Sequence, residues 1–450
     1  MIVNQRFTRA AAAVMAMTVV LTGCLGRGGD SADSEALSVW MFPQGDDEVA
    51  IKAYEAAFEE ANQGTDVEIV VYPEEEYQTK INTALVAGNP PDVAIIENHN
   101  WMKAEYVVEL TEYLDEWGVT LDEYSPGGLA RGSVEDDPTE GIFGIGDFLG
   151  GFPIVYNRAL FDEAGIEYPS SDTSMTFQEY ADLCSQLAQP DANPANAVYG
   201  CTMSPDPFNF YPVYGPDGRS PEGVMNSPEL AEAFEVAASV INDGFAPSGS
   251  LLDTVTDTDL FAQGQIAMAA SDFSAIPTFV EAEIDFGMAP FFVVEGQEDF
   301  VDTWTSPWGT FTESRHKDQA LAFLEFIATE AQRLRMEISP DPPLSTKVAE
   351  ENGYGADDPI KQQFLQVLEN ARPSIFVPEG EENWDPAEVL RLLTIEEQTD
   401  AQAILDEMAS KAQPRVLEVW ERWETLDRQE FEDLVEEEAV ASTAPEEEEE

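Results

Sequence analysis

Ala87-Gly88-Asn89-Pro90-Pro91-Asp92-Val93-Ala94-Ile95-Ile96 reads as a helix end, a tight break and a buried strand. Glycine and two prolines stop the helical periodicity that runs from Tyr77 to Ala87, because proline lacks an amide proton and restricts the residue before it. Val93-Ala94-Ile95-Ile96 is continuously apolar and mostly β-branched, the pattern of a strand covered on both faces. Polar residues resume at once with Glu97-Asn98-His99-Asn100-Trp101. In sheets of this kind ligands bind beyond the carboxyl ends of the strands, so this turn is the first place to look for a site.

The same grammar extends in both directions. Leu37-Ser38-Val39-Trp40 and Val67-Glu68-Ile69-Val70-Val71-Tyr72 read as strands, and Ile51, Tyr54, Phe58 and Ala61 share one helical face between them. Trp101 to Leu114 is again helical. Further on, Ile154-Val155-Tyr156-Asn157 is a strand, while Phe177–Leu187 and Leu230–Ile241 are helices, the latter ended by Asn242-Asp243-Gly244. Gln319–Ile338 is a long amphipathic helix. Val416, Val419, Trp420, Trp423 and Leu426 form a helical stripe suited to packing. Alternating strands and helices predict an α/β protein with mainly parallel sheets flanked by helices.

The chain has 450 residues, of which 43% are hydrophobic and 10% aromatic, enough for a folded body with more than one core. Its 89 acidic residues against 21 basic ones give a formal charge of −68, which excludes nucleic acid and anionic lipid surfaces as primary partners. The acids are spread along the whole length. That distribution suits adaptation to high salt, which screens mutual repulsion; attraction of a cationic ligand is the alternative reading.

Arg6 and Arg9 precede an apolar stretch, Ala10 to Leu21, that is too short to span a bilayer and ends in Leu21-Thr22-Gly23-Cys24. This resembles the lipobox of bacterial lipoproteins and implies a signal peptide over 1–23, with Cys24 lipidated as the new N-terminus. Residues 24–36 then read as a flexible linker and 436–450 as a disordered acidic tail. The remaining cysteines, Cys184 and Cys201, form an even pair outside the cytoplasm and are read as a disulfide, two buried thiols being the alternative.

Several blocks, in order, resemble the extracellular solute-binding proteins of ABC importers, in particular the sugar-binding, maltose-binding-protein-like family. They are Leu37–Trp40, Ala87–Val93, Gly141-Ile142-Phe143-Gly144-Ile145, Val155–Phe161 with Ala164-Gly165-Ile166, Phe261-Ala262-Gln263-Gly264-Gln265-Ile266-Ala267-Met268, and the helix Ala320–Glu330. One departure is Thr176-Phe177-Gln178-Glu179, where relatives often carry Thr-Trp-x-Glu. The resemblance implies a two-lobed periplasmic-binding-protein fold of type II, with the ligand cleft between the lobes. It puts lobe one at 37–148 plus 289–340 and lobe two at 149–288 plus 341–435. It also implies a monomeric binding protein without cofactor or catalytic residue, held extracytoplasmically by its lipid, that hands a saccharide to an ABC permease.

A sugar offers flat C–H faces and a rim of hydroxyls, which call for aromatic plates and polar side chains. On position and resemblance the candidate ligand contacts are Trp40 and Gln44 after the first strand, Glu75 and Tyr77 after the second, and Asn98, His99 and Trp101 after the third. Asp147 lies at the first crossover. Asp206 and Phe208, Asp272 and Phe273, Trp304 and Trp308, and Trp384 supply the second lobe and the return crossings. For Asn98 a helix cap, and for Trp40 core packing, are competing roles.

Enzymatic signals are weak. His99 and His316 are the only histidines and neither has a partner at metal-ligand spacing. Gly141, Gly144 and Gly146 do not make a dinucleotide loop, and neither a P-loop nor a Gly-x-Ser-x-Gly elbow occurs. Carboxylates are too numerous for counting to exclude a glycosidase pair. A cationic osmolyte in a tryptophan cage is a second ligand class. The charge makes one direct prediction: the melting temperature falls as salt is lowered from molar concentration to dilute buffer, and an unchanged value would reject salt adaptation.

Overall fold

The computed structural model describes residues 36–42, 47–203, 213–293, 303–368, 376–378, 384–396 and 398–443. The expectations for residues 1–35 with Cys24, for Gln44, Asp206 and Phe208, and for residues 444–450 lie outside the described residues.

Two sheets with separate cores are joined by crossing segments. In the first sheet the order is β2-β1-β3-β9, with β1 (Leu37–Met41), β2 (Val67–Val71), β3 (Val93–Ile95) and β9 (Trp308–Thr310). β1 pairs in parallel with β2, Leu37 opposite Val67, and with β3, Val39 opposite Val93. Helix Asp47–Ala61 connects β1 to β2 and buries Ala50, Ile51, Tyr54 and Phe58. Its first turn carries Asp47 and Glu48, the charge sign that a helix N-terminus favours. Asp92, from the opening motif, ties the sheet to its last strand. It accepts from the Ser38 N–H at 3.0 Å and the Ser314 hydroxyl at 2.7 Å, with His316 Nδ1 3.0 Å away. Burial pushes this carboxyl up, but those hydrogen bonds outweigh it and hold the group below the usual carboxylate range.

In the second sheet the order is β6-β5-β7, with β5 (Ile154–Asn157), β6 (Met268–Ala270) and β7 (Phe286–Ala289). Successive residues of β5 serve opposite faces. Ile154 and Tyr156 pack with Phe161, Tyr180 and Phe234, whereas Val155 packs with Phe261, Phe279 and Met288. Thr176 and Glu179 form a reciprocal capping box that opens the helix Phe177–Leu187, a device that stabilises by about 1 kcal/mol. That helix carries Cys184, joined in a disulfide to Cys201. Gly200 lies against the Cys184 carbonyl, where a Cβ would sit 1.7 Å from the oxygen.

Two sequence expectations change in detail. Both ladders of the second sheet are antiparallel, not parallel. β5 arrives straight from the first crossing, so its direction is set by the connection between lobes. β6 and β7, linked through helix Ile276–Glu281, run parallel to one another on either side of it. β9, also fed by a crossing, is likewise antiparallel to its neighbour β3. Secondly, the stretch 341–435 does not belong to one lobe. Helix Ala401–Thr425 buries Leu405, Ala409 and Ala412 in the second core and then Val416, Trp420 and Trp423 in the first. A helix of 25 residues is roughly 37 Å long, enough to serve two cores.

Three crossings lie side by side. β4 (Gly150–Gly151) pairs antiparallel with β8 (Thr303–Trp304), and Phe148 bridges to Pro343 in the third crossing. Close approach explains the glycine-rich first crossing: a Cβ on Gly146 would meet Thr305 Oγ1 at 1.9 Å. Beneath the crossings the helix Lys317–Phe326 continues through a π-helical segment, Ile327–Ala331, into Gln332–Ile338. After this wider turn, Gln332 and Arg335 lie buried.

Arg335 is 2% exposed and gathers the crossings around it. Its guanidinium pairs with Asp47 at 2.6 Å and Asp341 at 3.5 Å and lies 4.0 Å over the Phe148 ring. Asp147, from the first crossing, accepts from Tyr54 at 2.5 Å; Ser306, from the second, donates to Asp47 at 3.2 Å; Ser339, from the third, donates to Asp341 at 2.5 Å. Burial is the largest influence on both Asp47 and Asp341. It outweighs the attraction of Arg335 and raises each carboxyl from 3.8 to about 6. Each therefore holds its proton to higher pH in the folded chain than in the unfolded one. The stability so contributed is fully present below about pH 4 and is lost as pH rises through about 6. Asp341→Asn should make that decline in melting temperature shallower between pH 4 and 7 at constant molar salt; a slope equal to wild type would show that Asp341 holds no such proton.

Candidate ligand-binding cleft

The turn after β3 and the turn after β6 face one another across the crossings. The order β2-β1-β3 reverses direction at β1, and the crevice beyond such a reversal is the usual ligand position. A cleft of about 530 Å³ lies there, within the range of about 300–1,000 Å³ typical of small-molecule sites. Gln78, Glu97, His99 and Arg131 line it from the first lobe, Asp272 and Ser274 from the second. Phe152, Trp304, Thr305 and Pro307 come from the crossings and the residues beside them.

Trp304 is the best-fixed element of this cleft. Its Nε1 donates to Asp272 Oδ2 at 2.8 Å, and its ring meets Phe148 edge-on at 4.9 Å. Gly150 lets the indole approach the backbone; a Cβ there would come within 2.3 Å of Nε1. Asp272 is positioned in turn by its own N-cap geometry, accepting from the Ser274 N–H at 2.7 Å. An aromatic plate is thus held rigid beside a carboxylate, and little order remains to be imposed when a ligand binds.

The facing wall is polar. His99 Nε2 is 3.2 Å from Asp136 Oδ1, and its ring lies edge-on to Phe376 at 5.0 Å. Arg131 reaches the Thr303 carbonyl at 3.5 Å. Burial raises the Glu97 carboxyl to about 7, against the pull of Arg131 and with the repulsion of Glu74 and Asp47. Near neutral pH Glu97 is therefore both a donor and an acceptor, while Asp272 accepts and Arg131 donates. Such a set matches a ligand that carries many hydroxyls.

Of the residues singled out by sequence, His99, Asp272 and Trp304 line the cleft. The other candidates among the described residues lie elsewhere. Trp101 is fully buried, donates to Asn82 at 2.7 Å and packs against Phe311. Trp308 sits inside β9 in the first core, and Phe273 stacks on Phe364 at 4.0 Å in the second lobe. The Tyr77 hydroxyl accepts the Ile95 N–H at 2.9 Å and so pins β3. Asn98 caps the helix His99–Lys103, accepting from Asn100 N–H at 2.9 Å. Trp40 packs edge-on to Tyr72, Trp384 packs against Phe234 in the second lobe, and Glu75 is exposed on the first turn of its helix. Asp147 belongs to the buried charge cluster. Apolar bulk drew these aromatics inward, and composition does not distinguish a wall tryptophan from a core one. The three-tryptophan cage expected for a cationic osmolyte is not assembled, because Trp101 and Trp308 lie in the core.

Sequence reasoning did not select Gln78, Arg131, Phe152, Ser274, Thr305 or Pro307. Arg131 carried the one available signal, a cation within a glycine-rich stretch of an overwhelmingly acidic chain. Thr305 and Pro307 lay beside Trp304 in a stretch already marked. Gln78 shows no pattern; it reaches the cleft only through the rotation of its helix.

Residues 43–334 match the bacterial extracellular solute-binding protein family. A Brucella abortus protein described as a binding protein is 24% identical over 336 residues, covering 72% of this chain and 80% of its own. Among solved structures, the sugar-binding protein MalE from Xanthomonas citri is 17% identical with a TM-score of 0.68, covering 87% of this chain and all of its own. The maltotriose-binding protein of Thermus thermophilus, solved with maltotriose, is 18% identical with a TM-score of 0.63, covering 84% and 99%. A substrate-binding protein from Listeria monocytogenes, solved with cycloalternan, is 19% identical with a TM-score of 0.62, covering 86% and 98%. The two-lobed fold is theirs, and the chain belongs to the bacterial extracellular solute-binding protein family.

Proposed function

We propose that this protein captures a saccharide between its lobes by hinge closure and delivers it, without chemical change, to an ABC importer. The observation that carries this reading is the immobilised Trp304–Asp272 pair facing Glu97, Arg131 and His99 across the cleft. A fixed aromatic face suits a sugar ring, and the mixed donors and acceptors suit its hydroxyls. The saccharide-bound proteins of similar fold support the same ligand class. In this reading Cys24 carries the lipid that keeps the protein at the outer face of the membrane, where the permease is met. The acidic surface keeps it soluble in concentrated salt.

Calorimetric titration in molar salt with maltotriose, mannobiose, mannotriose and cycloalternan tests the proposal. At least one should bind and be recovered unaltered, and Trp304→Ala should weaken it tenfold or more, about 1.4 kcal/mol. Silence across the panel would reject a saccharide ligand, and release of shorter products would make the protein an enzyme.

Closure over Glu97 removes further water and favours its neutral form. Binding is then coupled to proton uptake, so affinity falls as pH rises through about 7. Glu97→Gln should make affinity flat between pH 6 and 8, while an equally flat wild type would remove Glu97 from the contact.

A further inference from the structure

Apart from the three crossings, the lobes are tied together at helix Ala401–Thr425. Ala412 is its last residue in the second core and Val416 its first in the first core. Pro414 stands between them, exposed, inside the helix. A proline there has no N–H for the carbonyl four residues back, here that of Ser410, and its ring crowds that carbonyl. Helices bend at such points. The helix thus has its weakest turn where it leaves one lobe for the other.

A loop of the second lobe spans the same point. Val213 is buried in the second core, and Tyr214 packs against both cores. From there Gly215–Ser220 projects as a turn closed on itself. The Gly215 N–H donates to the Ser220 carbonyl at 3.1 Å and the Gly218 N–H to the Gly215 carbonyl at 2.8 Å. Asp217 braces the turn, accepting from the Arg219 N–H at 3.0 Å and the Ser220 hydroxyl at 3.2 Å. Gly218 has a φ of 65°, and a Cβ there would meet the Phe376 carbonyl at 2.3 Å, a position for glycine alone. The chain then returns to the second-lobe half of the helix. Asn226 donates to Asp406 at 2.7 Å, and its carbonyl accepts from Gln402 at 2.9 Å.

The tip of the loop is seated on the first-lobe half. Trp420 Nε1 donates to the buried Gly218 carbonyl at 2.9 Å. The Arg219 guanidinium lies 4.1 Å over the Trp420 ring and reaches Glu424 at 2.9 Å. Gln413, next to the proline, donates to the Arg219 carbonyl at 3.0 Å. At molar ionic strength an exposed ion pair such as Arg219–Glu424 is largely screened, whereas a buried hydrogen bond and a stacked ring are screened far less. The contact also reaches the cleft. Trp420 meets Phe376 edge-on at 5.7 Å, and Phe376 meets the cleft residue His99 at 5.0 Å.

We propose that the Gly215–Ser220 loop is a clasp between the lobes that holds the ligand-free cleft partly closed, and that Pro414 is where the shared helix yields when the lobes move. A loop rooted in one core and seated on the other limits how far the two can part. More of the resting protein is then in the binding-competent form, which raises apparent affinity whatever the ligand. The clasp concerns closure and not the chemistry of the ligand, so it stands or falls separately from the saccharide reading.

Pulsed dipolar EPR on the full chain, without ligand and in molar salt, tests it. Spin labels go on Glu75→Cys and Thr278→Cys, exposed positions one turn from the cleft residues Gln78 and Ser274, in a Cys24→Ser background. The disulfide leaves Cys184 and Cys201 unlabelled. With the clasp intact the distance distribution should be single and narrow. Arg219→Ala removes the stack, and Asp217→Ala unties the turn without touching the helix. Each should move the distribution to longer distance and roughly double its width. Pro414→Ala restores the helical N–H and should narrow it. A distribution unmoved by both loop variants, in proteins that melt within about 2 °C of wild type, would overturn the clasp. One unmoved by Pro414→Ala would overturn the bend point.

Discussion

A single buried guanidinium organises the connection between the lobes. Arg335 touches carboxylates from the first helix and the third crossing, stacks on Phe148 of the first crossing, and shares Asp47 with Ser306 of the second. Three carboxylates, Asp47, Asp147 and Asp341, surround one cation, so the cluster carries more negative charge than Arg335 can neutralise. Burial resolves the excess by holding protons on Asp47 and Asp341 to unusually high pH. Removing one member of such a cluster strands the rest in low dielectric, a penalty of roughly 3–5 kcal/mol for a buried pair. The network fixes where the crossings meet, and every cleft residue is placed relative to that meeting point.

The cluster is also physically continuous with the cleft. Phe148 lies between the Arg335 guanidinium and the Trp304 ring, and Trp304 donates to Asp272. Asp272 in turn raises the pKa of Asp341 by repulsion, after the larger effect of burial. Asp272, on the cleft wall, thus takes part in the charge balance of the cluster beneath the crossings.

Much of this was legible in the chain. Gly88-Asn89-Pro90-Pro91 stops a helix, Asp92-Val93-Ala94-Ile95-Ile96 makes a strand, and Thr176 with Glu179 caps a helix, because each depends on local sterics and on hydrogen bonds between near neighbours. The glycines from Gly144 to Gly151 were visible but their purpose was not; they are required by segments some 160 residues away that pack against them. Asp272 and His99 could be marked because strand ends predict clefts. Trp101, Trp308 and Phe273 carried the same apparent signal and went to the core.

By itself, the sequence determined the alternation of strands and helices, the two-lobed order of family blocks, and a strongly acidic net charge. All three follow from local pattern or summed composition. Tertiary structure decided which aromatics line the cleft, the antiparallel sense of β5, and the passage of one long helix from the second core to the first. It also set Gln78 and Arg131 beside Asp272. Those outcomes depend on which segments meet across hundreds of residues and on how far each helix is rotated as it packs. A side chain's neighbours along the chain carry no record of either.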